Sequence, residues 1–130
     1  MVKKISIDTN FSFKIIGLKS NKKSIQLVNF FNRIFDISLT EKIIIVDNEM
    51  SFFYFVNNNS KIIFFENKFL SRKTSLLKQF NYFLLVDNFD LDSFFSTLKN
   101  NLDINYFYLI EKNLITKEID KIFSFIYSQI

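Results

Sequence analysis

The stretch Phe80-Asn81-Tyr82-Phe83-Leu84-Leu85-Val86-Asp87-Asn88-Phe89-Asp90-Leu91-Asp92-Ser93-Phe94-Phe95-Ser96-Thr97-Leu98-Lys99-Asn100 decides how the chain is read. Its first part, Phe80–Val86, is rich in aromatic and aliphatic residues and reads as a strand. Asp87-Asn88 breaks it, because Asn tolerates the left-handed backbone that a turn needs. Apolar residues then recur at Leu91, Phe94, Phe95 and Leu98, one stripe of a helix over residues 90–100. Asp90 or Asn88 serves as its N-cap, and Asn100-Asn101 ends it. A further β-rich run, Ile104–Ile110, follows. Strand, amphipathic helix, strand is a crossover lying on a sheet.

The rest of the chain repeats this logic. Residues 21–35 place Leu27, Val28, Phe31, Ile34 and Phe35 on one helical face, behind Ser20 or Asn21 as N-cap. Residues 117–128 carry Ile119, Ile122, Phe123 and Ile126 behind Thr116. Ile5-Ser6-Ile7 and Phe11-Ser12-Phe13-Lys14-Ile15 alternate with period two. Glu41–Val46, Ser51–Val56 and Lys61–Phe65 are short strands, the last two flanking the Asn57–Ser60 turn as a hairpin. The order β-β-α-β-β-β-β-α-β-α predicts an α+β two-layer sandwich: a mostly antiparallel sheet with helices on one face, and a ferredoxin-like core with extra strands. One domain over residues 1–130 is expected. Residues 67–79 have the weakest periodicity and are expected to be a mobile loop.

The composition narrows the chemistry. The chain has no His, Cys, Pro, Trp or Ala, and one glycine, Gly17. That leaves no imidazole base, no thiolate and no soft metal ligand. It also leaves no glycine-rich phosphate loop. The abundance of Phe, Ile, Asn and Lys follows AT-rich codons. No apolar run reaches the length of a membrane helix, and no signal-peptide core follows Lys3 and Lys4. The expected compartment is the cytoplasm, with no cofactor, no metal and no small-molecule substrate. Net charge is +4, unevenly spread: residues 1–40 are basic and 81–103 acidic.

Phe11–Leu18, the helix with Gln26-Leu27 and Phe31-Asn32, and Phe80–Val86 together resemble the IPExxxVDY family, a small group of bacterial proteins of similar length and element order. The resemblance covers residues 11–40 and 74–86, and more loosely 104–125. The naming motif falls on Thr74-Ser75-Leu76 and Phe80-Asn81-Tyr82. Of its six letters only Tyr82 matches; Phe80 keeps apolar character, and Asn81 keeps the shape of Asp without its charge. Ser75 and Leu76 replace Pro and Glu. The resemblance implies no catalytic residue.

The remaining constellations each have a plain reading. Gly17 is expected to mark a bulge or tight packing under a Phe rather than a ligand site. Asp87, Asp90 and Asp92 fall where a strand meets a helix, a capping position more than a Mg²⁺ site. Lys22-Lys23-Ser24 and Arg72-Lys73-Thr74-Ser75 hold the types for Ser–Lys catalysis, without the desolvation that chemistry needs. The aromatic strands are more telling. Phe52–Val56 and Tyr106-Phe107-Tyr108 must send half their rings outward. An apolar face of that kind is a protein-interaction or self-association surface, with a protein partner or homodimer as occupant. The alternative is RNA binding, with sheet aromatics stacking on bases. The residues proposed for the surface are Lys19, Lys22, Lys23, Phe53, Phe55, Tyr82, Tyr106 and Tyr108.

Overall fold

In a computed structural model, residues 13–46, 48–57, 59–67, 79–100, 104, 106–111 and 117–130 are described. The elements are β1 (Lys14–Lys19), α1 (Ser24–Phe35), β2 (Thr40–Val46), β3 (Asn48–Asn57), β4 (Ser60–Glu66), β5 (Tyr82–Asp87), α2 (Leu91–Lys99), β6 (Tyr106–Ile110) and α3 (Lys117–Tyr127). The strand proposed over Ile5–Ile7 and most of the 67–79 loop lie outside these residues.

The six strands form one sheet in the order β2-β3-β4-β5-β1-β6. Every neighbouring pair is antiparallel. β5 and β6 flank β1, so β5-α2-β6 is a crossover that steps over one strand. The quartet β6-β1-β5-β4 has the ferredoxin-like order, and the β2–β3 hairpin extends the sheet beyond β4. This is the expected α+β antiparallel architecture, extra strands included.

Strand alternation separates two cores. Ile16, Leu18, Ile62, Phe64, Leu84 and Val86 point to one face, where α1 adds Leu27, Val28, Phe30 and Phe31, and α2 adds Phe94 and Leu98. Phe31 meets Phe64 edge-on at 5.2 Å, and Phe35 stacks on Phe94 at 4.2 Å, tying α1 to α2. Ile15, Ile63, Phe65, Phe83 and Leu85 point to the other face.

There the structure corrects one expectation. α1 and α2 share a face as anticipated, but α3 lies on the opposite one. Its Phe123 packs against Phe65 at 5.7 Å and Phe83 at 5.3 Å, and Ile126 is fully buried in the same cluster. The cause is in β4 and β5, whose Ile62–Phe65 and Tyr82–Val86 are apolar at every position. A strand without polar alternation needs cover on both sides. α3 is held at its end as well: Lys42 Nζ donates to the Gln129 carbonyl at 2.6 Å, and Tyr127 donates to Asp87 at 2.6 Å.

The caps fall close to where they were sought. Asp90 accepts the Asp92 N–H at 3.2 Å and starts α2. Asn88 takes a left-handed φ of 62° in the turn before it. α1 starts later than residue 21: Lys23 is its N-cap, with Gln26 Oε1 accepting the Lys23 N–H at 2.9 Å. Ser20 Oγ instead accepts the Lys22 N–H at 3.1 Å, which shapes the loop before the helix.

Candidate functional site

Layer geometry locates the open surfaces. A helix is about 10 Å across and strands lie about 4.8 Å apart, so one helix shields about two strands. α1 and α2 therefore shield four strands of a six-stranded sheet on their face. Among the described residues the strand pair left over is the β2–β3 extension. On β2, Ile43 is 58 % exposed and Ile45 77 % exposed. Ile43 pairs with Ser51 and Glu41 with Phe53, so the isoleucines and Phe53 share this face. Phe53 and Phe55 are only partly buried against the helical core. β2 is also an edge strand, its outer backbone groups free of any strand partner among the described residues. Lys42 is its one basic side chain, and that ammonium is turned back to the Gln129 carbonyl.

Among the described residues the opposite face is shielded by α3 alone, which leaves aromatic rings open at the other edge. Tyr106 and Tyr108 on β6 are 41 % and 47 % exposed. They pair with Lys19 and Gly17. Gly17 has no positive φ; its role is space. A Cβ there would lie 2.6 Å from the Phe80 ring, so the ring occupies the place of the missing side chain. Tyr108 lies nearly parallel to Phe80 at 6.4 Å, and Tyr106 meets it edge-on at 5.9 Å. The Tyr106 hydroxyl donates to Gln79 Oε1 at 2.8 Å. The expected tight packing of Gly17 under a Phe is thus observed.

The proposed surface residues do not form one patch. Lys19, Lys22, Lys23, Tyr106 and Tyr108 gather near the end of β1. Phe53 and Phe55 are two strands past β5, on the other face. Tyr82 is no surface residue: it is 5 % exposed, stacks on Phe64 at 5.2 Å, and donates its hydroxyl to the Lys22 carbonyl at 2.7 Å. Burial, with Glu66 beside it on β4, raises its phenol above the ordinary 10.0. Its neighbour Asn81 accepts the Ser20 N–H on Oδ1 at 3.0 Å, while its backbone N–H donates to Leu18. Asn81 and Tyr82 together pin the loop that launches α1.

Two of the three clustered carboxylates have structural partners. Asp90 caps α2 and Asp87 accepts from Tyr127. Among the described residues no cluster of acidic side chains has the arrangement of a metal site. Lys19, Lys22 and Lys23 mark one end of the sheet, whereas Asp36, Asp87, Asp90 and Asp92 mark the other. Among the described residues no helix is long and apolar enough to cross a membrane.

Compared with protein-family models and with curated proteins, the chain matches none. Ile43 and Ile45 were missed as surface residues. The signal for them was present: in the run Ile43-Ile44-Ile45 a strand must turn the middle residue one way and the outer two the other.

Proposed function

We propose that the chain is a non-enzymatic protein-interaction module that self-associates through the uncovered β2–β3 part of its sheet. The observation behind this is the exposure of Ile43 and Ile45 beside half-buried Phe53 and Phe55, on an edge strand without proline or bulge. An edge of this type is completed by another strand. Burying the four isoleucines of two copies contributes about 1–2 kcal/mol each, comparable to the cost of immobilising the partners. Backbone pairing must add the rest, which puts the dissociation constant on the order of micromolar.

The reading assumes a cytoplasmic protein related to the IPExxxVDY family. Asn81 and Tyr82, the residues aligned with the end of that motif, support a structural role for it, since both bind backbone of the Ser20–Lys23 loop. The test is light scattering across a dilution series. The parent chain is expected to show a concentration-dependent dimer that persists at high salt. Ile43→Lys with Ile45→Lys is expected to be monomeric with unchanged circular dichroism. A parent chain that is monomeric at every concentration would refute the proposal.

A further inference from the structure

The β6 edge lies on the opposite face and at the opposite edge from β2, and its chemistry is different. Here the exposed groups are phenol rings and ammonium groups rather than aliphatic side chains. Tyr106 and Tyr108 stand two residues apart on one face, about 6.6 Å along the strand, so each ring can take a separate planar ligand. The ring floor beneath them is packed. Phe80 fills the space above Gly17, both tyrosines pack on it, and Gln79 holds the Tyr106 hydroxyl. Lys19 sits directly opposite Tyr106 on the same face, and the exposed Lys22 and Lys23 lie past the end of β1, where the chain crosses to α1 on the other face. Of the carboxylates at this end, Glu66 pairs with Tyr82 and faces the other side, while Asp120 lies in the first turn of α3, on the face of the tyrosines.

We infer that this edge binds single-stranded nucleic acid, Tyr106 and Tyr108 stacking on successive bases and Lys19, Lys22 and Lys23 contacting phosphates. Aromatic rings on an edge with cations at its end are the two parts such binding requires. Stacking is indifferent to base identity, so the site reads no sequence. Three phosphate contacts give a log–log salt slope of about −2.

The experiment is fluorescence anisotropy of the full chain with labelled oligouridylate and oligothymidylate of about 12 nucleotides, within the span such surfaces cover. Both are expected to bind at low salt; tighter binding of the uridylate assigns the site to RNA, and equal binding to single strands generally. Tyr108→Ala and Tyr106→Ala are each expected to lower affinity roughly tenfold. Lys22→Gln with Lys23→Gln flattens the salt slope by about 1.4. Tyr108→Leu, which keeps apolar bulk, guards against an unfolded variant and is expected to lose affinity as well. Ile43→Thr with Ile45→Thr, which adds no charge, leaves binding unchanged, which separates this site from the self-association surface. No binding at low salt overturns the inference, as does binding that the tyrosine variants do not alter. A shift of oligomeric state by those variants with nucleic-acid affinity intact makes the patch a protein contact and overturns it too.

Discussion

Gly17 shows how a single residue shapes a surface. The Phe80 ring lies where its Cβ would be, so Gly17→Ala must push the ring aside. Urea denaturation of that variant is expected to show a loss of about 1–3 kcal/mol. Phe80→Leu in the same chain should return part of it, because the smaller side chain leaves room. Additive losses in the double variant would contradict the packing account. Tyr82 carries a pH signature. Its raised phenol pKa means both folded and unfolded forms stay protonated below 10.0, and the contribution to stability is complete there. Above that pH the unfolded chain ionises first, so stability falls until the buried phenol titrates in turn. Tyr82→Phe is expected to cost about 1 kcal/mol at neutral pH through the lost bond to the Lys22 carbonyl. The alkaline slope of its unfolding free energy should be shallower than the parent's. The role of Gly17 was legible because glycine in a strand has few explanations. The burial of Tyr82 was not, since in the run Tyr82–Val86 both faces are apolar and alternation alone names no outer side.

At the level of elements the periodicity carried most of the information. The helices at Ser24–Phe35, Leu91–Lys99 and Lys117–Tyr127 follow their apolar stripes, and the hairpin closes with Asn57 opposite Ser60 as its asparagines suggest. Two details depended on tertiary partners. The α1 start moved because Ser20 is committed to Lys22 and Asn81, which leaves Lys23 as the cap. The face taken by α3 could not come from its own stripe, which says only that one side is buried. Both points are testable. Asp90→Ala is expected to lower stability by about 0.5–2 kcal/mol, while Asp90→Asn, which keeps the accepting oxygen, leaves it nearly unchanged. Phe123→Ala is expected to cost about 3–5 kcal/mol, a large share of the stability of a small domain. A cost below about 1 kcal/mol would mean that α3 does not sit on Phe65 and Phe83.

For the whole molecule the decisive quantity is cover. Among the described residues six strands present two faces, and three helices shield only part of them. The uncovered parts fall at opposite edges: aliphatic at β2, aromatic and basic at β6. The sequence showed that such surfaces must exist, from the excess of apolar residues. It did not show where, because strand order is set by pairing over long separations, as between Lys14 and Val86. Grouping Phe53 and Phe55 with Tyr106 and Tyr108 was the consequence. The central claim is that β2 is an edge awaiting another strand. Backbone hydrogen exchange of Thr40–Val46, followed over a range of protein concentration, tests it most directly. The account predicts protection of β2 amides that rises with concentration while β4 and β5 stay constant. Exchange in β2 that is the same at every concentration would contradict it.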